Sequence, residues 1–281
     1  MLPRLHLFEF LDQPWLPARL RRYASDYLAH VQNRFGFDRL MARKLGDFLT
    51  SCGGSGESHQ IVDLGSGAGG PIVGLRRHLA TDGIELDVVL TDLHPEAETL
   101  ERLSREPGVR YLSQPVDATA VPEDLVGTRT LVNALHHLRP EQVRAMFADA
   151  AAKAQPIVAF DVVERSARGV LSMLLVPLIV WLITPRLRPH RWSRLVLTYP
   201  VPLVPLLCTW DGLVSQLRAY RPEELHRLLP PGLDAYAFDV GTIREGQLRV
   251  AFVTGRPVGA SLSVPALGPH RTVDPATSAH P

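Results

Sequence analysis

The residues best suited to chemistry form a short run, Gly65-Ser66-Gly67-Ala68-Gly69-Gly70, which follows Asp63 and Leu64 and precedes Pro71. Glycine suits a tight strand-to-helix turn because, with no Cβ in the way, the backbone can approach a bound nucleotide. A second acid, Asp92, ends Val88-Val89-Leu90-Thr91-Asp92. A carboxylate there can accept two charge-assisted bonds from a diol. His136 and His137, in Asn133-Ala134-Leu135-His136-His137, could deprotonate a hydroxyl, since imidazole titrates near neutral pH. The competing reading has one histidine packed beside a ligand and the other against a helix. Glu164 and Asp211 are weaker candidates of the same kind, and Asp211 could equally cap a helix with a core stripe of Leu213, Leu217 and Tyr220.

These groups need elements to hold them. From Gln60, short apolar runs alternate with helical segments, the βαβ pattern of a mostly parallel sheet covered on both faces. Strands are predicted at 60–64, 85–91, 109–113, 129–133 and 157–163. Helices with proline in the first turn are predicted at 71–80, 95–104 and 140–153. Runs 233–240 and 247–254, linked through Arg244-Glu245-Gly246, read as an antiparallel hairpin. Upstream, Tyr23, Tyr27, Val31, Leu40, Leu45 and Phe48 have helical spacing, with a break at Gly36. Residues 1–58 thus read as a helical cap ending in a flexible connector at 51–58, residues 59–255 as the main domain, and 256–281 as a disordered tail.

Asp63 before the glycine run and Asp92 after the next strand make the chain resemble the class I S-adenosylmethionine-dependent methyltransferases over about residues 60–165. The resemblance implies a Rossmann-like, seven-stranded, mostly parallel sheet with a C-terminal antiparallel hairpin and helices on both faces. It implies S-adenosyl-L-methionine as cofactor, with Asp63, Gly65, Ser66, Gly67 and Gly69 at the methionyl part. Asp92, beside Leu93, would take the ribose hydroxyls, Asp117 with Ala118 would face the adenine amino group, and Asn133 would line the cofactor. No universal catalytic residue carries over, so His136 and His137 remain the leading catalytic candidates, and no metal is expected. Gly65-x-Gly67-x-x-Gly70 also satisfies the dinucleotide fingerprint, which keeps a nicotinamide-dependent oxidoreductase open.

Composition narrows the partners. A net charge of +1 provides no field to recruit nucleic acid, and the Asn133 segment continues with Ala134, not with the prolines of base-methylating enzymes. Cys52 and Cys208 form no framework, and Arg4, His6 and Glu9 interrupt any apolar signal run at the start, so a cytoplasmic protein is expected. Lysine occurs only at 44 and 153, an arginine bias typical of a GC-rich, bacterial genome.

An apolar insertion spans about 166–220. Residues 169–184 carry no charge, residues 195–210 are nearly as greasy but hold Pro200, Pro202 and Pro205, and each run falls short of the ~20 residues of a spanning helix. Between them lie Arg186, Arg188, Arg191, Trp192 and Arg194. Arginine and tryptophan beside apolar wedges suit peripheral contact through 169–210 with the inner face of a membrane. The other reading is a buried lid or dimer core. Both favour a hydrophobic small-molecule or lipid acceptor, and a membrane-associated binding module without turnover is a third possibility.

Overall fold

The computed structural model describes residues 2–52, 58–67, 69, 71–95, 97–103, 105–231 and 234–259. Seven strands form one sheet in the order β3-β2-β1-β4-β5-β7-β6. β1 (His59–Asp63), β2 (Leu86–Leu90), β3 (Val109–Tyr111), β4 (Thr128–Val132) and β5 (Ile157–Asp161) are parallel. β6 (Tyr236–Glu245) and β7 (Leu248–Pro257) form the hairpin, and β7 runs antiparallel to β5. This is the Rossmann-like architecture expected from the sequence.

Both faces of the sheet are covered. α2 (Phe37–Ser51), α3 (Ile72–Thr81) and α4 (Ala97–Leu103) close one side, where Leu45, Leu49, Leu75 and Leu79 meet Ile61, Val88 and Phe160. α5 (Pro140–Ala152) and α10 (Pro222–Leu228) close the other, where Met146, Phe147 and Leu225 meet Val62, Leu131 and Val253. A third cluster lies off the sheet. It joins α1 (Ala18–Phe35) to the insertion, with Tyr23 and Tyr27 against Val176 and Val180 of α7 (Val176–Ile183) and Leu207 of α9 (Leu203–Arg218). Gly36, left-handed at φ 83°, turns the chain between α1 and α2, as its position predicts.

Several boundaries move. The hairpin turn is Gly246-Gln247, because β6 continues through Arg244 and Glu245, and the expected start at Leu233 lies outside the described residues. β7 runs on through Arg256 and Pro257, into the segment read as a tail; residues 260–281 lie outside the described residues. The connector starts later than expected: Ser51 ends α2, Cys52 is buried behind it, and residues 53–57 are not described. In the insertion, α6 (Ala167–Ser172), two 3₁₀ turns and α7 make 20 helical residues, Ala167–Arg186, long and apolar enough to cross a membrane by length and composition. α8 (Trp192–Val196) follows the arginine-rich turn.

Candidate functional site

Strand order reverses between β1 and β4, and ligands of open α/β sheets bind outside the carboxyl ends of strands at such a point. Most of the residues singled out from sequence gather there. The turn after β1 is held by Ser66 N–H donating to Thr91 O at 2.9 Å, Gly69 N–H to Ser66 O at 2.9 Å, and Tyr111 Oη to Gly67 O at 3.2 Å. Gly65, Gly67 and Gly69 all take positive φ, at 62°, 50° and 93°, which explains glycine at each. Ala68 and Gly70 lie outside the described residues.

Asp63 turns inward. Its carboxylate accepts the Ser66 and Thr130 hydroxyls, each at 2.6 Å, and the residue is 2% exposed, so it shapes the loop from beneath. Asp92 is half-buried above the turn, with Oδ2 accepting Gly67 N–H at 2.7 Å and Oδ1 accepting His94 N–H at 2.8 Å. A carboxylate has about four acceptor positions, so two remain for a ligand. Leu93 beside it is exposed, and Val116 N–H donates to Asp92 O at 2.9 Å, which draws the loop after β3 alongside. In that loop exposed Asp117 accepts both the N–H and the hydroxyl of Thr119, and Ala118 packs on the core.

Asn133 ends β4 with φ 57°, a conformation asparagine tolerates. Its Oδ1 accepts Val162 N–H at 3.2 Å, while its Nδ2 is buried without a partner among the described residues. Such a donor costs free energy unless something meets it, and here it lies at the crevice.

The histidines separate. His136 is buried; Asp161, at the end of β5, accepts its backbone N–H at 3.1 Å and its Nδ1 at 2.9 Å. That leaves Nε2 with no hydrogen bond among the described residues. His137 stacks on it at 4.2 Å and faces the N-terminal segment. Its Nδ1 lies 3.0 Å from Asp12 and 3.2 Å from Arg218. The proton decides the partner: N–H pairs with the acid, and a bare nitrogen accepts from the guanidinium.

Sequence reasoning missed most of this cluster. Residues 2–16 are strapped across α9: Arg218 Nε donates to Leu7 O at 2.7 Å, and its Nη1 meets Asp12 at 2.8 Å and Glu9 at 3.2 Å. Asp211 does not cap α9 but sits inside it, accepting the N–H groups of Phe10 and Leu11 at 2.8 and 2.9 Å. Glu164 pairs with Arg249 at 3.2 Å. Glu9, His136 and His137 bring ligating atoms within 4.8 Å of one another, but Arg218 already supplies the positive charge a cation would bring.

Burial pushes Asp63 up to about 7, against the pull of its two hydroxyl donors. Burial also lifts Glu9 to about 7, although His137 and Arg218 pull it down. Burial alone would raise Asp12, but His137 and Arg218 hold it well below the usual range. A carboxyl raised by folding contributes stability that is complete below its unfolded pKa and lost as pH rises through its folded one. Stability should therefore fall between about pH 4 and 7, with Asp63 alone contributing on the order of 4 kcal/mol. Urea unfolding at pH 5 and pH 8 tests this: Asp63→Asn should flatten part of the slope, and a wild type equally stable at both would contradict it.

No protein-family model matches the chain, and neither does any curated protein. Among solved structures it is similar to human N-acetylserotonin methyltransferase in complex with SAM, at 15% identity and TM-score 0.45, over 85% of this chain and 55% of that one. It is similar to the PH0226 protein of Pyrococcus horikoshii OT3, at 12% identity and TM-score 0.42, over 89% and 94%. It is also similar to a Rhodobacter sphaeroides protein assigned as a Zn-dependent alcohol dehydrogenase, at 12% and 0.42, over 71% and 84%. None of these bears on what this chain does. The fold and crevice do: a Rossmann-like sheet presents a left-handed glycine turn, a half-buried acid and an unmet amide donor at one switch point.

Proposed function

We propose that the chain is an S-adenosylmethionine-dependent methyltransferase with a hydrophobic small-molecule or lipid-like acceptor. The observation that carries the cofactor is the bond from Gly67 N–H to Asp92 at 2.7 Å. A dinucleotide needs such loop N–H groups free for its pyrophosphate. Here a carboxylate covers one of them and would repel a phosphate, whereas it suits a ligand bearing hydroxyls and net positive charge. The cofactor supplies an electrophilic methyl on a sulfonium.

In this reading the turn from Gly65 to Gly69, with Ser66, faces the methionyl part, and Asp92 takes the ribose hydroxyls beside Leu93. Asp117 and Ala118 lie toward the adenine, and Asn133 Nδ2 finds its acceptor in the ligand. Asp63 acts through the loop it supports. Methyl transfer in line with the sulfonium draws much of its rate from orientation. Where the acceptor carries a proton, His136 is the residue to take it, with Asp161 fixing its tautomer. The acceptor is hydrophobic because the crevice adjoins the greasy insertion; with a net charge of +1, nucleic acid forms no part of the proposal.

Calorimetric titration with S-adenosylmethionine and with NAD, in wild type and Asp92→Ala, tests the cofactor. The first ligand should bind wild type and weaken about a hundredfold in the variant, as expected for lost bonds to a charged acceptor. Removing the carboxylate also frees Gly67 N–H, so NAD binding that appears in wild type and survives in Asp92→Ala would overturn the proposal in favour of an oxidoreductase.

A further inference from the structure

The greasy insertion shows an unusual face. The helical stretch Ala167–Arg186 is only 17% buried over its most apolar part. Val176 and Val180 turn inward onto α1 and α9, while Leu171, Leu174, Leu175, Leu178 and Leu182 stand outward at helical spacing, Leu174 at 70% exposure. α9, packed beside α7, continues the face with Leu203, Leu206 and Trp210. A face of this kind on a soluble chain marks something it covers or enters.

Charge says what that is. No Asp or Glu occurs between Glu164 and Asp211, whereas six arginines do. Arg165, Arg168 and Arg194 are tied to Glu224, Gln247 and Asp26. Burial of Arg194 removes it from the four surface cations expected from the sequence. Arg186, Arg188 and Arg191 are exposed at the end of the apolar face with no acidic partner among the described residues, beside Trp192 at 84% exposure. Below them a cavity of about 350 Å³ is lined by His190, Arg191, Trp192 and Arg194. Arg194 Nε and Nη1 are buried without a partner among the described residues. A phosphate is the kind of acceptor such donors suit.

We propose that this face docks in the plane of an anionic phospholipid leaflet, with one headgroup phosphate in the arginine cavity. Docking suits the geometry better than spanning, because α7 is packed along its length on α9 and one side is committed to protein. A second copy is disfavoured, since it would bring together two clusters of three arginines that have no acidic partner among the described residues. Two ring groups beside this face are already satisfied: Trp181 Nε1 donates to Thr198 O at 3.0 Å and Tyr199 Oη to Trp181 O at 2.9 Å. These two rings can therefore enter the interface with no unmet hydrogen bond, while the exposed Trp192 indole N–H, with no partner among the described residues, is free for the headgroup region. The face also leads to the site, for Trp210 touches Phe8, next to Glu9 in the strap.

Cosedimentation of the full chain with phosphatidylcholine vesicles, with and without phosphatidylglycerol, tests this. Binding should rise at least tenfold with the anionic lipid and fall about a hundredfold in Arg186→Ser/Arg188→Ser/Arg191→Ser, near fivefold per arginine. It should also be lost in Leu174→Asp/Leu178→Asp, whose exposed positions leave circular dichroism and melting unchanged. Equal binding to both vesicle types, or binding that survives either variant, overturns the proposal. So does a dimer by analytical ultracentrifugation that Leu174→Asp/Leu178→Asp dissociates. Neither cofactor nor turnover enters the measurement, so its outcome is separate from that of the methyltransferase reading.

Discussion

Arg218→Met is expected to release the N-terminal strap and to lower the unfolding free energy by about 3–5 kcal/mol at pH 8, the usual cost of breaking a buried ion pair from one side. The guanidinium is buried, meets both Glu9 and Asp12, and donates to Leu7 O. Without it the buried Glu9 carboxylate is left beside the partly exposed Asp12 and His137 with no guanidinium to balance it. At pH 6 the loss should be smaller. Glu9 titrates near 7 with Arg218 pulling it down, so removal of that pull lets it take a proton and shed its charge. Glu9→Gln added to Arg218→Met should therefore recover part of the stability at pH 8 and little at pH 6. Urea unfolding at the two pH values, with limited proteolysis of the strap, reads this out. A single variant as stable as wild type at pH 8 and equally resistant to cleavage would mean that the strap is held by its other contacts, the Asp211 bonds to Phe10 and Leu11 among them.

What could be read from sequence divides along physical lines. β1 to β5 come within a few residues of prediction because continuous apolar runs between proline-started helices are local signals, and the glycine turn announces its own backbone. Gly246-Gln247 was harder: Arg244 and Glu245 look like turn residues, yet at the open edge of the sheet β6 can carry them outward. The charged cluster was illegible for a different reason. Glu9 and Asp12, His137, Asp161 and Arg218 lie on four separated stretches, and nothing local distinguishes Glu9 from any surface glutamate until α9 brings Arg218 over it. His137 stood out by its titration range, and Asp161 left a trace as an acid at the end of an apolar strand. Arg194 misled in the opposite direction, since Arg191 and Trp192 just before it are exposed while Asp26, its partner at 2.8 Å, sits on a helix far upstream.

The glycine turn gives the sharpest separation of folding from binding, because its members face different surroundings. A Cβ built on Gly67 meets nothing within 4 Å. Its N–H is directed to Asp92 and its carbonyl to Tyr111, so a side chain there stands free over the crevice. Gly67→Val should cost only the strain of a positive φ, about 1–2 kcal/mol, yet weaken S-adenosylmethionine binding at least a hundredfold. Gly69 is the reverse. Its φ is 93°, and a Cβ would lie 2.5 Å from Leu103 Cδ1, a side chain of the core. Gly69→Ala should lower stability by about 2–4 kcal/mol, from strain plus displacement of a packed leucine. Adding Leu103→Ala removes the atom in the way, so the double variant should be less destabilised than the sum of the two single changes. Thermal melts and calorimetry on wild type and the four variants decide it: additivity would exclude the contact, and a Gly67→Val protein that binds S-adenosylmethionine as wild type does would move the cofactor away from this turn.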